Sequence, residues 1–386
     1  MFPNIFSKAG LTTAFYTLAL ASRCSANDGL EWISKDPTLP KVVIYSAGGT
    51  ILSASNYSRL DNIKYGRGVG PTPQQLIGNV SEVLDVAQLA VVKFPATGGS
   101  SGLNSSLYLN ISQYANRQLC SEGSDIAGAI MFHGTNTLEE TAFGVDLTFN
   151  CSKPFIATGS MRPDTYVSPD GRSNFYQAVA AAASPASRDR GGLIVFNDRI
   201  SSIFYSSKTN ANTPDTFKAL EQGNLGAFLG GQPFYYFDPA YPTGRPTFDV
   251  TNTTVLPAVL TLWLHQGFDS TLMYAAVANG AKGLVILGPG AAQLSPAANK
   301  AADELYKKGI PTIAVPRPVT GSGMPDPYPG SVIFSSYVGG DQARIMLQLA
   351  INAGYSMDQI RDLFEGPLRK AIFGTKVNQM TYFAQE

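Results

Sequence analysis

Two threonines and a lysine are the residues of this chain best suited to do chemistry. Thr50 ends the turn in "YSAGGTILS" and Thr135 stands in "HGTNTLEETAF", each just beyond a short apolar run. The two glycines before Thr50 let the backbone turn tightly and bring a ligand close to N–H donors, although an ordinary strand-to-helix turn has the same composition. A threonine hydroxyl needs a base before it attacks a carbonyl. A desolvated lysine near a second cation or a polar cluster can lose its proton near neutral pH and serve as that base. Lys208 in "YSSKTNANTPDTF" is available for the role, against the plain alternative of a solvated surface lysine. Thr137 followed by Glu140 has the spacing of a capping box, which explains those two residues but not Thr135, Asn136 or His133.

Other chemistries fit poorly. The only histidines are His133 and His265, so an H-E-x-x-H metal site is excluded, and no Cys/His ligand spacing occurs. No G-x-S-x-G elbow supports a serine hydrolase, and neither glycine-rich phosphate-loop spacing is met. No cofactor and no metal are expected. The formal net charge is +0 with no basic block, which argues against nucleic acid or an acidic membrane surface as partner. A small neutral or zwitterionic molecule fits better.

The elements that must position these residues are legible as short apolar runs. "KVVIYSAGGT", "DIAGAIMFHGT", "PFIATGSMRP", "GGLIVFNDR", "KGLVILGPG" and "IPTIAVPRP" each end in Gly, Pro or small polar residues, as buried parallel strands do. Helical spacing in "TLEETAFGVDLTF", "NKAADELYKKG" and "DQARIMLQLAINAG" alternates with them, so the fold class is α/β. Ligands in such folds bind at the carboxyl ends of the strands, where Thr50 and Thr135 stand. The stretch 232–257, "QPFYYFDPAYPTGRPTFDVTNTTVLP", has no sustained period. We therefore expect an N-terminal domain over 40–235, a linker over 236–256, a C-terminal domain over 257–366 and a loose tail over 367–386.

Residues 1–21 run from Lys8 through an apolar stretch to Ala19-Leu20-Ala21, the pattern of a cleaved secretory signal. No later stretch is long and apolar enough to span a bilayer. Cys24 lies near the cleavage point, and Cys120 and Cys151 are a reasonable disulfide in an oxidising compartment. N-x-[ST] recurs at Asn56, Asn79, Asn104, Asn110, Asn150 and Asn252, which suits a secreted glycoprotein, in the medium or in the cell wall or periplasmic space.

Together, "AGGTI", "HGTNTLEETAF", "GSMRPDTYVSPDG", "NDRISSIFYSSKTNANTPDTF" and "QARIMLQLAI" resemble, in order, the motifs of the bacterial and fungal type II L-asparaginases from about Lys41 to Phe364. The resemblance implies a larger N-terminal α/β domain with a mostly parallel sheet, a smaller C-terminal parallel-sheet domain, and a homotetramer, a dimer of dimers with active sites between subunits. It implies that Thr50 is the nucleophile, Thr135 the second catalytic threonine and Lys208 the lysine assisting Thr135. Tyr65 matches the lid tyrosine that helps activate Thr50; Tyr57 competes but lies close to Thr50 and inside a sequon. Cys120 and Cys151 match the disulfide of periplasmic members. The implied chemistry is hydrolysis of a side-chain amide through an acyl-threonine ester, with N–H groups near Thr135 holding the oxyanion, a contribution of roughly 3 kcal/mol.

The match breaks where an amino acid's charged head would sit. Asn136 replaces an aspartate whose charge faces the substrate α-ammonium, and at an enclosed site that loss costs on the order of 2 to 5 kcal/mol. Ser100 resembles the residue that holds the α-carboxylate, but Ser101 stands where Gln or Glu is common, and Ser160 replaces an alanine. The glutamate contributed by a neighbouring subunit has no clear counterpart; Asp326 is the nearest acid. These changes suit a substrate whose nitrogen is uncharged. Two other outcomes fit the same residues: a repurposed member catalysing another biosynthetic reaction, and a catalytically silent secreted homologue.

Overall fold

Alternation along the strand at Lys41–Ser46 (β1) sets the layering of the larger domain. Val43 and Tyr45 enter one buried cluster while Val42 and Ile44 enter another on the opposite face, as side chains of a strand must. The computed structural model describes residues 29–66, 68–95 and 99–374, so the expected signal segment and Cys24 lie outside the described residues. β2 (Gln88–Lys93), β3 (Ile126–Phe132), β4 (Phe155–Thr158) and β5 (Leu193–Phe196) join β1 in a parallel array. The chain continues into β6 (Arg199–Ser202), a small separate ladder of β7 (Ser207–Lys208) and β8 (Phe217–Lys218), and then β9 (Gly226–Leu229) and β10 (Gln232–Tyr235). The eight-stranded sheet therefore has the order β10-β9-β6-β5-β4-β3-β1-β2, antiparallel from β10 to β5 and parallel beyond.

Helices cover both faces, which is why β1 and β3 read as nearly continuous apolar runs. α1 (Pro73–Asn79) packs on one face; α2 (Ser105–Leu119) and α3 (Leu138–Asp146) pack on the other; α4 (Gly171–Ala183) returns to the first. Asn104 caps α2 by accepting the Ser106 N–H at 3.0 Å. Phe143 of α3 is fully buried, and such burial contributes about 2 to 3 kcal/mol. The Cys120–Cys151 disulfide joins the end of α2 to the segment after α3, with Cα atoms 5.4 Å apart.

The smaller domain is a four-stranded parallel sheet in the order β11 (Val259–Trp263), β12 (Gly283–Gly288), β13 (Thr312–Pro316), β14 (Val332–Phe334). α5 (Thr271–Ala278), an interrupted turn α6 (Pro289–Ala292) and α7 (Pro296–Tyr306) lie between its strands, followed by α8 (Gly340–Asn352) and α9 (Met357–Phe373). Leu284 and Ile286 face α5 and α7, whereas Val285 joins the cluster that also holds Phe143 and Leu347 of α8. One apolar core thus runs between the two domains. Among the described residues no helix is long and apolar enough to cross a membrane.

One boundary differs from expectation. β10 takes the first four residues of the stretch 232–257, inside the N-terminal domain expected over 40–235, and pairs with β9 across Gly230 and Gly231. The tail, however, does not begin at 367. α9 continues to Phe373 with Pro367 inside it, and Phe373 is buried while Arg369 bonds to Glu365 at 3.2 Å. A proline removes one backbone bond from a helix, and these side-chain contacts hold the turn beyond it.

Candidate active site

The loops after β2, β1, β3 and β4, neighbours in the sheet, carry Ser100 and Ser101, Thr50, Thr135 and Asn136, and Ser160 respectively. A parallel array brings these carboxyl ends to one edge. Thr50 opens a single 3-10 turn, Thr50–Leu52, after Gly49 at φ 102°. A side chain at Gly49 would be strained, and its Cβ would come within 2.6 to 2.7 Å of the Gly134 nitrogen and the His133 carbonyl. Gly134 in turn leaves room for Ser100, whose Oγ would lie 2.6 Å from any Cβ there. The glycines thus let the two threonine loops touch through their backbones.

Thr50 and Thr135 are both buried. The Thr50 hydroxyl donates to Tyr65 Oη at 3.2 Å, and Lys208 Nζ donates to Thr135 Oγ at 3.0 Å. Burial pushes the Lys208 amine below its usual range, and the Glu139 carboxylate opposes that shift. Lys208 arrives on β7, reached from the sheet through a 3-10 turn at Ile203–Tyr205, and Gln342 of α8 donates to the Ser206 carbonyl at 3.0 Å.

Tyr65 rides on the segment after Thr50. Asp61 organises this segment: its carboxylate accepts the Ile63 and Lys64 N–H groups, each at 2.9 Å, and the Ser55 hydroxyl. Those bonds, led by the one from Lys64, hold its carboxyl below the usual range. The Arg59 carbonyl accepts the Val167 N–H at 2.7 Å and Thr165 Oγ accepts the Ser55 N–H at 2.9 Å, fastening the segment to the loop after β4. Tyr57 is exposed, with the Lys64 ammonium 5.6 Å from its ring centroid. Of the two tyrosines weighed from the sequence, Tyr65 is the one that meets Thr50.

The remaining candidates divide. Asn136 and Ser101 are exposed and bond to each other, Asn136 Nδ2 donating to Ser101 Oγ at 2.8 Å. Ser100 is buried beside Gly134, and its carbonyl accepts the Thr137 hydroxyl at 2.8 Å. Ser160 is fully buried and donates to the Arg162 carbonyl at 2.9 Å, so it braces its own loop instead of presenting a hydroxyl outward. The capping box expected at Thr137 and Glu140 does not form, because Thr137 is drawn to Ser100 and Glu140 accepts from Arg344 of α8 at 2.7 Å. Asp326 lies exposed in the smaller domain, where its carboxylate accepts the Tyr328 N–H at 2.8 Å.

His133 is core: its Nδ1 lies 2.8 Å from the Gly134 carbonyl, and burial lowers its pKa to about 4, so the ring is neutral. Glu139 escaped the sequence reading. It is half-buried, its carboxylate accepts the Lys208 backbone N–H, and desolvation raises it to about 7. Its place in the first turn of α3, directly after the loop that carries Thr135, was the available signal. Among the described residues no group of three or more His, Cys, Asp or Glu side chains could hold a metal ion.

Comparison with known proteins identifies relatives over most of the chain. Residues 41–241 match the family model "Asparaginase, N-terminal" and residues 258–364 the "Glutaminase/Asparaginase C-terminal domain". The chain is 40% identical over 337 residues to L-asparaginase 2-3 of Saccharomyces cerevisiae, covering 86% of this chain and 91% of that one. It is 36% identical over 335 residues to L-asparaginase 2 of Bacillus subtilis, covering 86% and 88%. Among solved structures, a probable cytoplasmic L-asparaginase from Campylobacter jejuni superposes with a TM-score of 0.77 at 28% identity, covering 84% of this chain and 99% of that one.

Proposed function

The chain belongs to the asparaginase family and is a hydrolase of amide carbon–nitrogen bonds, and from that premise we propose an acyl-threonine mechanism centred on Thr50. Thr50 Oγ attacks the carbonyl carbon of a side-chain amide and gives up its proton toward Tyr65. The tetrahedral oxyanion is held by backbone N–H groups of the loop around Thr135, and the proton released by Thr50 is relayed through the Tyr65 hydroxyl to the leaving nitrogen, which departs as ammonia. Water, deprotonated through Thr135 and Lys208, then cleaves the ester and frees Thr50. The observation that carries this reading is the pairing of two buried threonines with polar partners, Thr50 with Tyr65 at 3.2 Å and Thr135 with Lys208 at 3.0 Å, on loops in backbone contact. In an amide panel with hydroxylamine present, the wild type should form hydroxamate and Thr50→Ala none. Hydroxamate formation undiminished in Thr50→Ala would end the reading.

L-asparagine is one substrate consistent with the relatives' names, and an amide whose nitrogen is uncharged is the other. The second is favoured by the Asn136–Ser101 bond, which pairs two neutral side chains where the family resemblance implies charge. Because Asn136 is exposed in the single chain, a carboxylate there would contribute about 1 kcal/mol or less to holding an α-ammonium. A second subunit covering this face, as in a homotetramer with shared sites, would raise that toward 2 to 5 kcal/mol. Secretion as a glycoprotein is supported by the Cys120–Cys151 disulfide and by the exposure of all the sequon asparagines, Asn56, Asn79, Asn104, Asn110, Asn150 and Asn252. Glycosidase treatment of the protein from its native host tests it, and an unchanged mass counts against it.

A further inference from the structure

We propose that Glu139 is the positioning residue for Lys208, holding its backbone in place and setting the charge on its amine as it faces Thr135. The inference rests on the hydrolase reading above, in which Lys208 acts through Thr135. Lys208 is gripped at two points that belong to one turn of chain. Thr135 accepts from its Nζ at 3.0 Å, and Glu139, four residues on, accepts from its backbone N–H. The ladder carrying Lys208 is only two residues long, pairing Ser207 with Lys218 and Lys208 with Phe217, so the sheet itself does little to aim the side chain. α3, by contrast, is packed in the core through Phe143 and Leu138. Glu139 therefore transmits the rigidity of that helix to a short strand.

The charges around Glu139 make the contact electrostatic as well as mechanical. From its own helix Glu140 faces it, from β7 Lys208, and from the start of α8 Asp341; Arg344, also on α8, is engaged by Glu140. Lys218, Glu221 and Arg317 line the same interdomain cavity of about 270 Å³ into which Glu139 and Lys208 open. Burial raises the Glu139 carboxyl to about 7, with Asp341 and Glu140 adding to the shift and the Lys208 N–H and ammonium opposing it. As an anion, Glu139 pulls the Lys208 amine upward against burial. Removing that charge while keeping the acceptor should make Lys208 easier to deprotonate. A purely structural glutamate would affect stability alone.

The test compares wild type, Glu139→Gln and Glu139→Ala by the pH profile of kcat for amide hydrolysis, by KM, and by NMR titration of lysine labelled at the ε-carbon, with Lys208→Met assigning the signal. In Glu139→Gln the limb governed by Lys208, and the Lys208 signal itself, should move to lower pH by about half a pH unit or more, with KM changed less than about twofold. In Glu139→Ala kcat should fall about tenfold or more. A folded Glu139→Gln protein whose limb and Lys208 titration coincide with those of the wild type would overturn the proposal, as would full kcat in Glu139→Ala. A wild type that hydrolyses no amide would count against the hydrolase reading instead, and the NMR titration would still decide whether Glu139 governs Lys208.

Discussion

The floor of the site and its rim are built on different principles. On the floor, Thr50, Thr135 and the neutral His133 are buried, and their loops are pressed together through Gly49 and Gly134 above a sheet packed on both faces. On the rim, Asn136 and Ser101 are exposed and bond mainly to one another. A substitution on the floor strikes the amide-cleaving groups themselves. One on the rim changes only what is offered to a ligand, so substrate preference can drift there while the amide-cleaving groups persist.

The widest gap between floor and rim should appear when the nucleophile is removed. Thr50→Ala is expected to lower kcat on the order of 10⁴-fold or more with the fold intact, measured as ammonia release. Lys208→Met should follow, with a loss on the order of 10² to 10³-fold in kcat and little change in KM. Tyr65→Phe should lose on the order of 10²-fold whereas Tyr57→Phe keeps its activity, and equal losses would erase the distinction drawn by the 3.2 Å contact of Tyr65 with Thr50.

The floor should also show itself in stability against pH. His133 is held near 4, below its unfolded value of about 6.5, so the unfolded chain takes up a proton first as pH falls. Its contribution, about 3 kcal/mol, is present above pH 6.5 and lost as pH falls toward 4. Glu139, raised to about 7, works in the opposite sense: its protonated form favours the fold, and that stability is lost as pH rises through 7. Denaturant titrations of Glu139→Gln, which lacks one of the opposing carboxyls, should show a steeper His133 slope than the wild type. At the rim, Asn136→Asp should improve KM for free asparagine about fivefold if the face is open in solution and tens of fold or more if a subunit covers it. No change, or a worse KM, would remove Asn136 as the specificity determinant.

Much of the floor was legible because it is local: the apolar runs ending in "AGGT" and "HGTN" are strands whose ends must carry the threonines, and Lys208 lies in a recognisable motif. What was not legible depends on partners distant along the chain. The spacing of Thr137 and Glu140 satisfies a capping box, yet Ser100 claims one hydroxyl and Arg344, 204 residues away, claims the carboxylate. Ser160 reads as a polar group facing a ligand until its fully buried hydroxyl is found donating to Arg162. β10 is hidden within an aromatic, proline-rich stretch because its strand character comes from pairing with β9. The role of Glu139 was hidden for a similar reason, since its contact is with Lys208, 69 residues downstream.

Mass spectrometry of the acid-quenched enzyme during turnover addresses the threonine assignment most directly. The peptide containing Thr50 should carry an added mass equal to the substrate less ammonia, and the adduct should be lost on treatment with hydroxylamine. An adduct on the Thr135 peptide, or a rapidly turning-over enzyme with no adduct on either, would contradict the account.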